Sequence, residues 1–122
     1  MAEKKAMFTE RELDIMDVLW REGSGTVLEV QEAIEDPLAY TTVLTVLRTL
    51  EQKGYVGHEM DGRAYRYLPL VEQNVARRNH LDRLLGNLFK GSPELLVTQL
   101  VSDRDLSKAE LKKLRALLDE RL

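Results

Sequence analysis

The stretch from Tyr40 to Gly54 constrains the fold of this chain more than any other. Its apolar residues recur at intervals of three and four, which places them on one side of an α-helix: Val43, Val46, Leu47 and Leu50. Gly54 follows where a helix commonly ends in the left-handed conformation. The pattern therefore predicts a helix that packs one face against a hydrophobic core.

The opposite face of this helix carries short hydroxyl side chains and one guanidinium, where solvated helices usually carry Glu and Lys. The candidate contact residues on it are Thr41, Thr42, Thr45, Arg48 and Thr49, with Lys53 at the C-terminal end. Short side chains permit close approach to another surface. Arginine can donate to guanine, and threonine can contact phosphates or base edges, so this face suits the DNA major groove. A solvent-facing helix built from poor helix formers explains the same residues, and both interpretations stay open here.

Two helix start signals precede this stretch. Thr9 with Glu12, and Thr26 with Glu29, have the spacing of capping boxes, in which each side chain bonds the other residue's backbone N–H. They predict two helices, and Pro37 ends the second shortly before the third begins. Two helices joined by so short a connection, the second with the Thr/Arg face, have the layout of a helix-turn-helix.

A β-hairpin is predicted after the third helix, because the hydrophobic period changes from 3.6 to 2. Asp61-Gly62 between two β-rich runs is a strong signal for a type I′ turn, and this turn would place His58 opposite Tyr65. We interpret the histidine as a cross-strand packing residue, since no cluster of metal ligands accompanies it. Arg63 near the tip and Arg66 on the second strand are candidate phosphate contacts, with a solvated arginine as the alternative for each.

Leucines at helical spacing dominate the rest of the chain, where Ser92-Pro93 and a Ser107–Glu110 capping box predict the starts of the last two helices. The predicted dimerisation residues are Leu81, Leu84, Leu85, Leu88, Phe89, Leu96, Leu100, Leu111, Leu114 and Leu118. About 50 residues with few aromatics make a thin core, and such helices commonly bury their stripes against a second copy. The sequence thus predicts an α+β fold, mostly α, with a winged helix-turn-helix domain over 1–70 and a helical dimerisation domain over 71–122.

The charge balance argues against a strongly basic nucleic-acid binder. The net charge is −3, and residues 1–70 hold 8 Lys and Arg against 13 Asp and Glu. Any affinity of one subunit for DNA would therefore be modest and would gain from dimerisation.

Several classes of protein are excluded by composition. The chain has no cysteine, which rules out disulfides, thiolate catalysis and cysteine-ligated metals. Neither a run of 18 apolar residues nor a signal peptide is found, so we expect a cytoplasmic protein without membrane insertion. No nucleophile is paired with a base, and no phosphate loop is present. We therefore expect neither an enzyme nor a cofactor.

From Phe8 to Leu118 the chain resembles the winged-helix repressors of the BlaI/MecI/CopY type, which control β-lactam resistance or copper-homeostasis genes in bacteria. The likeness is most specific over Tyr40–Val56 and over Asp61-Gly62-Arg63 with Tyr65-Arg66-Tyr67. The resemblance implies a homodimer on a two-fold operator. It also implies that the third helix enters the major groove, that the hairpin forms the wing, and that the last three helices interlock between subunits.

Three features depart from the pattern of that family. The absence of cysteine excludes the copper-sensing branch. In the β-lactam branch a sensor-linked protease cuts an Asn-Phe bond; the matching positions here are Gln99 and Leu100, which become the candidate cleavage site. Helix positions that are basic in some β-lactam repressors are Leu44 and Thr49 here, which predicts a different operator or a lower affinity.

Two alternatives to a repressor remain open at this point. One is a ligand-responsive winged-helix regulator of the MarR type, which would need a small-molecule pocket that nothing in the sequence marks. The other is a protein-interaction module that has lost DNA binding, for which the acidic first half is suited. The Thr/Arg helix face and the family resemblance favour DNA.

Overall fold

The computed structural model describes residues 6–122, in which six helices accompany three strands. In chain order these are α1 (Glu10–Glu22), β1 (Gly25–Thr26), α2 (Val27–Ala33), α3 (Tyr40–Gln52), β2 (Val56–Asp61), β3 (Ala64–Pro69), α4 (Gln73–Leu88), α5 (Pro93–Asp103) and α6 (Lys108–Arg121). The predicted α+β class, mostly α, is confirmed. None of these helices is both long and apolar enough to span a membrane.

The chain divides into two compact units that meet within α4, between Leu81 and Asp82. The beginning of α4 packs into the first unit: Asn79 is buried and donates to the Ala6 carbonyl at 3.2 Å, and the Phe8 N–H donates to His80 Nε2 at 3.2 Å. The change of pattern near residue 70 thus marks the end of the hairpin. The predicted domain boundary at that point stays a prediction.

Capping boxes begin both α1 and α2, as predicted. Thr9 accepts from the Glu12 N–H at 3.2 Å, and the Glu12 carboxylate accepts from the Thr9 N–H at 2.8 Å. Thr26 and Glu29 repeat this arrangement at the start of α2, with both distances 3.2 Å. Each box satisfies N–H groups that a helix start leaves without intrahelical partners. The two helix starts are therefore fixed by local sequence.

The core of the first unit lies between the first three helices, α1 to α3, and the sheet. The predicted stripe of α3 is confirmed, because Val43, Leu47 and Leu50 have no exposed surface and Val46 is half-buried. The other large, fully buried side chains are Ile15, Met16 and Leu19 of α1, Val30 of α2, and Val56 and Tyr67 of the sheet. Burying one face of α3 leaves its other face available to solvent.

The sheet corrects two predictions about the hairpin. Asp61 pairs with Ala64, Met60 with Tyr65 and His58 with Tyr67, so the turn residues are Gly62 and Arg63 and the predicted register was wrong. Gly62 has a φ of +63°, whereas Arg63 does not have a positive φ. Glycine at the first turn position with positive φ there alone suits a type II′ turn, not the expected type I′.

A short strand that the sequence did not reveal completes the sheet. β1 pairs antiparallel with β3, with Gly25 opposite Tyr67 and Thr26 opposite Arg66, which gives the strand order β1-β3-β2. Two residues are too few to show a period of two. This strand joins the start of α2 to the hairpin.

In the second unit the helices start where the sequence predicts, but their leucine faces are largely exposed. Ser92 caps α5 with Pro93 in its first turn, and Ser107 with Glu110 forms a capping box for α6, as predicted. No residue from Asp82 to Leu122 is buried. Of the leucines predicted at the dimer interface, six in this unit are exposed: Leu84, Leu88, Leu100, Leu111, Leu114 and Leu118. Within the described residues, most of the leucines predicted at the interface in this unit are therefore exposed to solvent.

Candidate nucleic-acid interface

The exposed face of α3 is lined by hydroxyl groups whose hydrogens are directed back along the helix. Thr45 Oγ donates to the Thr41 carbonyl at 2.8 Å, and Thr49 Oγ donates to the Thr45 carbonyl at 3.0 Å. Thr42, which follows Thr41 in the sequence, is also exposed. With the hydroxyl hydrogens of Thr45 and Thr49 occupied, their oxygens keep lone pairs that accept from amino groups such as those of adenine and cytosine.

A single cleft of about 470 Å³ joins α3 to the hairpin. Arg48 and Leu44 line it from α3, Arg63 and Tyr65 from the hairpin, and Leu28 from the first turn of α2. The structure thus places Arg48 and Arg63, two of the predicted contact residues, on opposite sides of one concave surface.

Arg48 and Arg63 differ from the other predicted cations in having no internal partner. Within residues 6–122 neither guanidinium forms a salt bridge or a side-chain hydrogen bond, and both residues are exposed. Burial raises the pKa of the Tyr67 phenol, and the Glu51 carboxylate adds to this rise. The positive charge of Arg48 lies close enough to oppose it. These two arginines supply the available positive charge of the cleft.

Lys53, predicted to contact phosphate, instead pairs with a carboxylate inside the protein. Its Nζ lies 2.7 Å from Glu12 Oε2, and the Glu12 side chain is 5% exposed. Burial alone raises the pKa of Glu12, but the hydrogen bonds from Lys53 and from the Thr9 N–H outweigh it and lower the pKa below its ordinary value. The pair ties the C-terminal end of α3 to the first turn of α1.

Arg66, also predicted to contact phosphate, is paired with two carboxylates. Its guanidinium donates to Glu29 at 2.8 and 3.1 Å and to Asp61 at 2.7 and 2.9 Å. Glu29, followed by Asp61, raises the pKa of Arg66, and the same contact lowers the pKa of Glu29. The two capping-box glutamates of the first unit each hold one of the predicted phosphate-binding cations. Whether either cation contacts DNA stays a prediction.

Aromatic packing stiffens the hairpin beside the cleft, as expected for a packing histidine. His58 stacks on Tyr65 with ring centroids 4.1 Å apart and an interplanar angle of 12°. Its Nδ1 also contacts the Glu51 carboxylate at the end of α3. Among the residues that the structure describes, no group of three or more His, Cys, Asp or Glu side chains could hold a metal ion.

Three large, exposed side chains of the cleft were not among the predicted contact residues: Leu28, Tyr40 and Tyr65. Leu28 is 53% exposed and Tyr40 is 48% exposed, at the starts of α2 and α3. A signal for Leu28 was present in the sequence, because it lies beside the inward positions Val27 and Val30 and cannot share their face of the helix. Tyr65 could not be assigned to the cleft without the hairpin register.

The predicted cleavage positions lie inside a helix. Gln99 and Leu100 are exposed residues of α5, and the Gln99 amide contacts the Asp103 carboxylate one turn later. A protease can engage a helical peptide bond only after the helix unwinds locally. The cleavage site stays a prediction.

A helix-turn-helix followed by a β-hairpin, with an exposed helix face and two unpaired arginines sharing one cleft, defines a winged-helix DNA-binding protein. Comparison with known proteins identifies the family. The family model of the penicillinase repressor matches residues 8–120, and the chain therefore belongs to this family. The family consists of transcriptional repressors rather than enzymes. A transcriptional repressor is also the function that the resemblance predicted.

The relatives cover the chain to different extents. The methicillin resistance regulatory protein MecI of Staphylococcus aureus is 24% identical over 123 residues, covering 99% of this chain and all of that protein. The transcriptional regulator BlaI of Mycobacterium tuberculosis is 48% identical over 59 residues, covering 46% of this chain and 43% of that protein. The solution structure of the DNA-binding domain of the repressor BlaI superposes with a TM-score of 0.53 and 26% identity over 61% of this chain and 93% of that domain.

Proposed function

We propose that this repressor acts as a homodimer on a two-fold operator, and that each subunit places α3 in the major groove and the hairpin on the adjacent backbone. The observation that carries the proposal is the cleft between α3 and the hairpin, with Arg48 and Arg63 on its two sides. In this arrangement Arg48 reads a guanine edge and Arg63 neutralises a phosphate. The hydroxyls of Thr41, Thr42 and Thr45 contact base edges and backbone beside Arg48.

Dimerisation is assigned to the second unit. Its leucines are exposed along α4, α5 and α6, and soluble single chains rarely leave so many large apolar side chains uncovered. A second copy of the same surface covers them with two-fold symmetry, since such an interface is self-complementary. Joining two DNA-binding units in this way raises the overall operator affinity, because the second half-site is bound intramolecularly. This gain compensates for the modest positive charge of each unit.

We assign the regulated genes to the β-lactam response. The support comes from the names of two relatives that match nearly the whole chain, a methicillin resistance regulatory protein of Staphylococcus aureus and a penicillinase repressor of Bacillus licheniformis. On this basis a sensor-linked protease would be the second macromolecular partner beside operator DNA, acting at Gln99 and Leu100.

The test compares two arginines of the cleft on two DNAs. An operator is first selected from random-sequence duplexes, and affinities are then measured on it and on a scrambled duplex. Arg48→Ala should cost about 1–3 kcal/mol per half-site on the operator and relax the preference at one base pair. Arg63→Ala should weaken binding to both DNAs and reduce the slope of log affinity against log salt by about one.

Arg21→Ala is the matched control, because Arg21 is an exposed arginine of α1 that does not line the cleft. It should leave both affinities within about twofold of wild type. Equal losses on both DNAs for Arg48→Ala would remove that residue from base reading, and failure to select any sequence would contradict the proposal as a whole.

A further inference from the structure

Arg66 is the most highly coordinated side chain at the hairpin, and its environment does not suit a DNA contact. A guanidinium carries five N–H donors. Nε donates to Asp61, one terminal nitrogen donates to Glu29 and to Ser24 Oγ at 3.3 Å, and the other donates to Glu29 and Asp61. All five donors are therefore used inside the protein, and the single positive charge faces two carboxylates.

The direction of the side chain separates Arg66 from the cleft. Successive residues of a strand point to opposite faces of the sheet. Tyr65 and Tyr67 line the cleft, and Arg66 stands between them, so its side chain leaves β3 on the other face. That face adjoins a different concavity, lined by Ser24, Glu29 and other residues of α1 and α2.

The partners of Arg66 belong to two different elements of the first unit, α2 and the hairpin. Glu29 is the capping-box residue of α2, and its carboxylate also accepts from the Thr26 N–H. Asp61 is the last residue of β2 and directly precedes the Gly62-Arg63 turn. The guanidinium therefore connects the start of the helix-turn-helix to the residue beside the turn that carries Arg63.

We propose that Arg66 is a positioning residue, which holds the wing against α2 through Glu29 and Asp61 and so fixes Arg63 beside the DNA backbone. This inference rests on the proposed function for its DNA part only. Arg66 contributes to operator affinity without contacting the operator. The fork geometry is essential to this role, because the point charge of a lysine cannot bond two carboxylates on different elements with the same fixed arrangement.

The first experiment needs no DNA. Hydrogen exchange is measured on the free full-length protein for wild type, Arg66→Lys and Arg66→Met. Amides of residues 61–64 should exchange about three- to tenfold faster in both variants, while amides of the buried faces of α1 and α3 stay unchanged. Unchanged exchange at the hairpin overturns the proposal whether or not the protein binds an operator, so failure of the inference is distinguishable from failure of the proposed function.

The second experiment is a double-mutant cycle on the selected operator with Arg63→Ala and Arg66→Met, with Arg66→Lys as a charge-conserving variant. If Arg66 acts through Arg63, the double variant binds within about twofold of the weaker single variant, and its salt slope falls by about one in total. Arg66→Lys then binds as weakly as Arg66→Met. Additive losses, a fall of about two in the salt slope, or recovery by lysine would identify Arg66 as an independent phosphate contact and overturn the proposal.

Discussion

The two units of this chain use similar leucine stripes to different ends. In the first unit Val43, Leu47 and Leu50 of the α3 stripe have no exposed surface. In the second unit Leu114 of α6 is 43% exposed, although its stripe is as regular. Helical spacing of leucines therefore predicts which face of a helix is apolar, but it does not predict whether the same chain covers that face.

The physical difference lies in what each unit packs against its helices. The first unit has a sheet and three helices, so that α3 packs against α1, α2 and β2, and Val56 and Tyr67 of the strands belong to the same core. The second unit has helices alone and lacks aromatic residues other than Phe89. A unit of 41 residues is too small to bury its apolar surface unaided, which is why we assign its stripes to a second copy.

Charged substitutions in the exposed leucine stripes of the second unit should have the largest effect on assembly and on operator affinity. Leu85→Asp combined with Leu114→Asp places charges on α4 and α6 within the proposed interface and should convert the dimer into monomers. Operator affinity should then fall by about 10²–10⁴, which is the usual gain from linking two binding heads. Sedimentation at micromolar concentration measures the state of assembly, and titration of the selected operator measures the affinity.

The matched control introduces the same two charges away from the stripes, as Asn87→Asp with Ala109→Asp, and should remain dimeric. A wild-type protein that sediments as a 14.0 kDa monomer at these concentrations would show that the second unit is not the dimer interface.

A single alanine substitution in each unit sharpens the comparison at a smaller scale. Leu47→Ala should lower the free energy of unfolding by about 2–5 kcal/mol, because it leaves a cavity in a core that the chain closes by itself. This loss should be the same at all protein concentrations. Leu114→Ala should instead destabilise in a concentration-dependent manner, since its burial requires a second copy. Denaturant unfolding at two protein concentrations that differ about 100-fold decides between these outcomes.

If the losses for Leu114→Ala and Leu47→Ala are both independent of concentration, the second unit is stabilised within one chain, and the contrast between the units disappears.

The sequence was sufficient wherever the signal is local. Capping boxes need only two residues three apart, and the Thr9–Glu12, Thr26–Glu29 and Ser107–Glu110 pairs were all correctly predicted. The apolar stripe of α3 could be predicted because its spacing lies within a single helix. The hairpin was predicted because glycine is required at a turn with positive φ. Its turn was placed one residue too early, since Asp61-Gly62 and Gly62-Arg63 are both acceptable turns, so His58 lies opposite Tyr67 and not Tyr65.

The candidate site was predicted less completely, because its chemistry depends on contacts between distant residues. The sequence did not show which of the predicted cations are paired within the protein. Lys53 pairs with Glu12, 41 positions away, and Arg66 pairs with Glu29, 37 positions away. No local pattern indicates such pairs. Only the folded structure separates them from the two arginines that remain unpaired within the described residues.

The smallest expected effect concerns the one buried carboxylate. Among residues 6–122 Glu12 is the only buried acidic residue, and it belongs to the first unit. Because its pKa is lowered in the folded state, Glu12 contributes stability above its ordinary value of 4.5, and this contribution is lost as the pH falls from about 4.5 through the folded value.

Glu12→Gln should therefore lower the free energy of unfolding by about 1–3 kcal/mol at pH 7, since it removes the charge that Lys53 meets while the amide oxygen can still accept from the Thr9 N–H. It should also reduce the steepness with which stability falls below pH 4.5. Glu120→Gln is the matched control on the exposed surface of α6 and should leave both quantities unchanged. Denaturant unfolding from pH 7 to pH 3 measures both. If Glu12→Gln and wild type lose stability in parallel over this range, the Glu12–Lys53 pair does not stabilise the first unit, and the end of α3 must be held by its apolar contacts alone.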